Sequence, residues 1–212
     1  MIRYVFRFEE GRGDQKNLLG GKGAGLAEMS RIGLPVPPGF TITTQACNEY
    51  QETGQYPPGM MDQVWQHLAM LEQSLGKRLG DIEQPLLVSV RSGAPISMPG
   101  MMDTVLNLGL NPETTEGLAK LTDNRRFAFD SYRRFIQMFG NVVMHMEHHR
   151  FEQVLSELKS EAGVTQDPDL TPEHLESLVE RYLGLVKATT GRDFPINPKE
   201  QLTMAIQAVF DS

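Results

Sequence analysis

The chain has 212 residues, with 20 Lys and Arg against 27 Asp and Glu, so its formal net charge is −7 and its pI is near 5.3. That balance argues against non-specific nucleic-acid binding, which needs a basic face; no run of 18 apolar residues is present to span a membrane, and MIRYVFRFEE lacks the apolar core of a secretory signal. The single cysteine, Cys47, excludes an internal disulfide framework, and the whole reads as a soluble, acidic protein of a reducing, cytoplasmic compartment.

Tyr4, Phe6 and Phe8 alternate with polar or charged neighbours, the period of a half-buried strand, and Gly-Arg-Gly-Asp at 11–14 breaks the chain after it. In NLLGGKGAGLAEMSRIG, Lys22 stands among Gly20, Gly21, Gly23 and Gly25. Ala24, Leu26, Ala27, Met29 and Ile32 predict a helix from Gly23 to Ile32, with Gly33 as its stop. Lys22 then lies at or just before a helix N-terminus, where unpaired N–H groups and the positive dipole end favour an anion. Neither common phosphate motif fits. A P-loop would place Gly where Lys16 stands and Ser or Thr where Gly23 stands, and the dinucleotide fingerprint G-x-G-x-x-G would need, after Gly21 and Gly23, a glycine where Leu26 stands. The stretch is either a phosphate site of another kind or a tight strand-to-helix turn with an exposed lysine.

Pro35-Val36-Pro37-Pro38-Gly39 stiffens the connection to a second strand at FTITT, and Thr43 or Thr44 is placed to cap the helix that follows. Cys47 in that helix reads as a small buried hydrophobe. Residues 60–75 carry apolar positions at helical spacing. PLLVSVRS at 85–92 is a nearly continuous apolar strand ending in Arg91, a guanidinium that burial would make costly unless it meets a phosphate or a carboxylate. A glycine- and proline-punctuated loop, GAPISMPGMMD, leads to another strand at TVLNLGL, 104–110.

The composition changes at Asn111. Asn111-Pro112, Thr171-Pro172 and Asn197-Pro198 each set a capping side chain before a first-turn proline, and Asn197 with Glu200 resembles a capping box. Residues 123–161 and 172–188 read as helices. In VVMHMEHHR, His145 and His149 fall four apart on that predicted helix with Glu147 between them, either a metal-binding face or a solvated histidine-rich turn; the order is not His-Glu-x-x-His. Asp103, Glu113 and Glu116 are the carboxylates near the loop, without the paired spacing that a Mg²⁺ site asks for.

Taken together, NLLGGKGAGLAEM, LPVPPGFTITTQAC, LLVSVRSGAPISMPGMMDTVLNLGLN and QLTMAIQAVFDS resemble the N-terminal region of the pyruvate, phosphate dikinase family, along essentially the whole chain. The sister water dikinase family shares a GGKGA start and a VRSS-type arginine, but its next loop is SFAGQ-like, so SMPGMMDT favours the phosphate-using enzyme.

The resemblance implies an α+β fold, an ATP-grasp-like N-terminal lobe with an inserted all-helical subdomain, truncated before the second grasp lobe. Residues 1–110 would be the α/β lobe, 111–196 the helical subdomain, and 197–212 a return to the first lobe in a piece of a longer enzyme. It implies ATP, phosphate and pyruvate as substrates, AMP, pyrophosphate and phosphoenolpyruvate as products, a phosphohistidine intermediate, Mg²⁺ with ATP, and a homodimer of the full enzyme. By motif, Lys22 and Arg91 match the family's ATP-phosphate contacts, and Gly100, Met101 and Asp103 belong to its phosphate-covering loop. None of His67, His145, His148, His149 and His174 lies in the Thr-x-His-Ala context of the phosphocarrier, so the piece alone is expected to be inactive, with its Mg²⁺ ligands elsewhere. The alternatives are a stand-alone binding or interaction module and the water dikinase family.

Overall fold

The computed structural model describes residues 2–93 and 104–212, a mixed α+β chain of helices with small two-stranded sheets. It divides into two compact units. The first is Met1–Gly76 with Arg91–Asp103 and Val209–Ser212; the second is Lys77–Val90 with Thr104–Ala208. This division does not follow the change of composition at Asn111. Among the described residues, no helix is long and apolar enough to cross a membrane.

In the first unit, β1 (Val5–Arg7) pairs antiparallel with β2 (Phe40–Ile42), Phe6 opposite Thr41. The helices are α1 (Lys16–Arg31), α2 (Thr44–Thr53) and α3 (Met60–Leu75), the last with the predicted bounds. Thr43 is the cap of α2, its side chain accepting from Ala46 N. The expected alternation along the first strand is corrected. Tyr4 and Val5 are both buried and Phe6 only half so, because the ribbon is covered on both sides. Phe6 packs on the Leu19, Ala24 and Ala27 cluster of α1. On α3, Gln63 Oε1 accepts from Tyr4 N at 2.8 Å and Val5 N at 3.3 Å, while its Nε2 donates to Ile2 O. These bonds satisfy backbone groups that the second strand does not reach.

The second unit holds β3 (Arg78–Leu79) parallel to β4 (Pro85–Leu86), and β5 (Val88–Val90) antiparallel to β6 (Val105–Leu108). The predicted 85–92 strand is therefore two short strands broken at Leu87. Its helices are α4 (Pro112–Thr122), α5 (Arg125–Val142), α6 (His148–Ala162) and α7 (Pro172–Thr190); α8 (Pro198–Asp211) lies in this unit up to Ala208. The three predicted Asn/Thr-Pro starts each open a helix. Asn111 and Thr171 accept from the third residue on, and Asn197 Oδ1 accepts from Lys199 N at 2.9 Å.

Helix α5 supplies the core of this unit, with Ala128, Tyr132, Phe135, Ile136 and Phe139 on one face. Phe194 meets Phe135 and Phe139 edge-on at 5.7 and 5.3 Å between ring centres, and Phe151 meets Tyr182 at 5.0 Å. Gln201, fully buried, accepts from Gly109 N and donates to Leu110 O and Pro195 O, which holds α8 to the end of β6.

Two tyrosines in this core differ in one bond. Tyr182 Oη donates to Phe151 O at 3.2 Å, whereas the buried Tyr132 Oη has no partner among the described residues. Tyr132→Phe is therefore expected to be neutral or to stabilise by up to about 1 kcal/mol, and Tyr182→Phe to cost about 1 kcal/mol. Urea melts of the two variants followed by far-UV circular dichroism decide this; equal losses would show that both hydroxyls are satisfied.

The single helix read over 123–161 is also corrected. It stops at Val142 and restarts at His148, and His145 sits in the connection with φ +56°. His145 and His149 are thus not four apart on one helix. Among the described residues, no group of three or more His, Cys, Asp or Glu side chains is placed to hold a metal ion.

Candidate functional site

Helix α1 begins at Lys16, seven residues earlier than the sequence predicted, but it is not continuous. Gly20 has φ +69° and ψ 173°, which splits the helix. That backbone region is open essentially to glycine alone. The segment before the break is anchored by Thr44 Oγ1, which donates to Asn17 O and to Leu18 O. After the break the helix restarts, with Gly21, Lys22, Gly23 and Ala24 in its first turn. Lys22 is exposed there, which fits a lysine facing an anion and a lysine facing solvent equally.

The cause of the break lies far along the chain. A Cβ on Gly20 would stand 1.8 Å from the carbonyl oxygen of Gly93, so the two backbones touch with no room for a side chain. Gly93 is two residues after Arg91, and Lys22 is two residues after Gly20, a Cα path of at most about 7 Å on either side. The contact therefore brings the lysine turn and the arginine segment into one neighbourhood. Arg91 itself is exposed, just beyond β5, while the next residue, Ser92, is buried. The expectation of a buried guanidinium at the strand end is corrected: the strand stops at Val90, and the side chain reaches solvent without a desolvation penalty.

Nearby arginines are used differently. Arg3 pairs with Glu10, Arg7 with Glu9 and Glu10, and Arg31 with Glu28. Neither Lys22 nor Arg91 has an ion pair among the described residues, whereas those arginines are paired with glutamates of their own segments. A separate groove in the first unit is lined by Asn17, Leu18, Thr44, Gln45, Asn48, Glu49 and Glu52. Its two carboxylates would repel a polyphosphate, so it is a poor place for one. Gly100, Met101 and Asp103 lie outside the described residues.

Gly93 belonged to the loop that the sequence offered as a cover for a nucleotide, but its contact with Gly20 was not foreseen, and Thr41 was not singled out at all. Gly93 follows the arginine, and its role needs the Gly20 contact to be seen. Thr41 lies on β2, and a Cβ on Gly23 would stand 2.8 Å from its Cγ2. The only local signals were a glycine after an Arg-Ser pair and a β-branched residue in a short strand.

Comparison with known proteins bears on the same segment. The family model described as the pyruvate phosphate dikinase AMP/ATP-binding domain matches residues 16–70. Along its full length the chain is similar to the pyruvate, phosphate dikinase of Clostridium symbiosum, 52% identical over 214 residues, covering 100% of this chain and 24% of that protein. It is 55% identical to the chloroplastic pyruvate, phosphate dikinase of Flaveria pringlei, covering 98% of this chain and 22% of the other, and 54% identical to the pyruvate, phosphate dikinase of Giardia intestinalis, covering 93% and 22%. The chain thus spans about a quarter of the length of these relatives, matching their N-terminal portion.

Proposed function

We propose, because this chain belongs to the pyruvate, phosphate dikinase family, that it forms part of the ATP-binding region of such an enzyme, with Lys22 and Arg91 on the triphosphate. The observation that carries this reading is the Gly20–Gly93 contact, which puts the lysine turn beside the arginine segment. A lysine–phosphate pair at about 4 Å is worth roughly 1 kcal/mol in water and about 4 kcal/mol at an effective dielectric of 20. Two such cations and a turn of backbone N–H groups would neutralise charge on the phosphates as one is transferred, an electrostatic role that needs no acid–base group. Gly100, Met101 and Asp103 would lie over the same phosphates.

In this reading residues 1–110 belong to an ATP-grasp-like lobe, 111–196 to its helical subdomain, and 197–212 return to the first. The whole enzyme, a cytoplasmic homodimer, would convert ATP, phosphate and pyruvate to AMP, pyrophosphate and phosphoenolpyruvate through a phosphohistidine. Mg²⁺ would accompany ATP, but the described residues offer no ligand cluster that fits it, so no step here runs through the metal. Its ligands and the phosphocarrier histidine would come from other residues.

Calorimetric titration of the chain with Mg-ATP, beside Lys22→Ala and Arg91→Ala, is the test. Each substitution is expected to weaken binding about tenfold or more, the equivalent of about 1.4 kcal/mol. Binding that neither substitution changes would overturn the assignment of both residues.

A further inference from the structure

The turn that carries Lys22 is held on two sides. Gly20 abuts the Gly93 carbonyl, and on the other side Gly23 abuts Thr41, where an added Cβ would stand 2.8 Å from Cγ2, 3.0 Å from Oγ1 and 3.3 Å from Leu19 Cβ. Both branches of the threonine therefore face the glycine. Thr41 has little freedom to yield. It is paired with Phe6 in the β1–β2 ribbon, its β-branched side chain is stiff at χ1, and Phe6 is packed on Leu19, Ala24 and Ala27 of the helix.

We propose that Thr41 is a positioning residue for the phosphate-facing turn Gly21–Ala24, setting its height above the β1–β2 ribbon through the side-chain-free face of Gly23. This rests on the reading that the turn meets the phosphates of ATP, and both residues lie inside the matched nucleotide-binding segment, 16–70. To reach ordinary contact at 3.4 Å, an alanine at 23 and Thr41 would have to part by about 0.6 Å. The flexible stem of Lys22 can follow such a shift. The backbone N–H groups cannot, and their aim at an anion is what a displacement of that size spoils.

The experiment is a cycle of Gly23→Ala, Thr41→Ala and the double variant in the whole chain, with two readouts: Mg-ATP affinity by calorimetry and amide shifts by ¹H–¹⁵N correlation spectra. Gly23→Ala is expected to bind Mg-ATP about tenfold more weakly and to move the amides of residues 21–24. The double variant, which removes both threonine branches, is expected to return those amides towards their original positions and recover most of the affinity. A double variant no better than Gly23→Ala on either readout overturns the proposal. Thr41→Ala introduces no clash, so it serves if Gly23→Ala does not fold. It is expected to loosen the turn and shift the same amides, and unchanged amides there would equally overturn the proposal. Failure of the ATP reading looks different: Lys22→Ala would leave binding unchanged, while the amide cycle would still decide what Thr41 does.

Discussion

Gly20→Ala is expected to cost the first unit more than about 3 kcal/mol, or to prevent it from reaching the native arrangement. Two penalties act at once. The φ of +69° with ψ of 173° lies where a side chain costs of order 1–3 kcal/mol. In addition, the new Cβ would stand 1.8 Å from the Gly93 oxygen and 2.8 Å from its carbonyl carbon, a collision with backbone that no rotamer relieves. Trp65, the single tryptophan, lies on α3 in this unit, so its fluorescence during urea unfolding reads the loss directly. Gly25→Ala is the internal control. It is exposed and has nothing within 4 Å, so alanine there should be neutral or stabilise by up to about 1 kcal/mol through helix propensity alone. Two glycines five positions apart would then respond differently, one losing stability and the other not. Similar effects at both positions would mean that Gly20 owes its conformation to something other than Gly93.

The second large effect is expected in the other unit, at Arg133. Its side chain is only 3% exposed, yet it donates to Asp130 Oδ1 at 2.8 Å and Asp167 Oδ2 at 2.9 Å. Asp167 also takes Lys159 Nζ at 3.0 Å, and Arg126 donates to the carbonyls of Asp167 and Leu170. The connection from α6 to α7 is thus tied to α5 by two arginines. Arg133→Ala removes a buried charge, two charged hydrogen bonds and a long packed stem, and is expected to cost about 3 kcal/mol. Denaturant melts followed by far-UV circular dichroism check this; a loss under about 1 kcal/mol would show that Lys159 and Arg126 hold the connection without it.

The same node has a pH signature. Burial pushes the Asp167 carboxyl up, but the Lys159 hydrogen bond and the Arg133 charge outweigh it, and the group ends below the ordinary carboxylate range. A depressed folded value means that its stabilisation is fully present above the unfolded value, near 3.9, and is lost as pH falls through the folded one. Asp167→Asn should therefore flatten the acid limb of the stability profile below about pH 4. Glu116 and Glu161 are also held low, by hydrogen bonds from Arg125 and Arg181, so the difference between the two profiles is the quantity to measure. Parallel profiles would remove Asp167 from the account.

Much of the fold and half of the candidate site were legible in the residues themselves. Thr43, Asn111, Thr171 and Asn197 marked helix starts correctly, because a cap is a bond between a side chain and an N–H two or three residues away. The bounds of α3 followed from periodicity for the same reason. Lys22 and Arg91 could be picked out because glycine around a cation and a cation ending an apolar run are both local patterns. The turn at 143–147, by contrast, has neither glycine nor proline to announce it. There, Asn141 donates to Met146 O, Met146 N to Gly140 O, and the Phe151 ring packs where a Cβ on Gly140 would stand 2.6 Å away; the packing of Met146 and Phe151 ends the helix. The shape of the lysine turn was likewise undecided by its own sequence, since a pair of glycines permits a break without requiring one. A carbonyl seventy-three residues later and a threonine on β2 decide it. Local bonds could be read from spacing; which distant backbones would touch depended on how the chain packs.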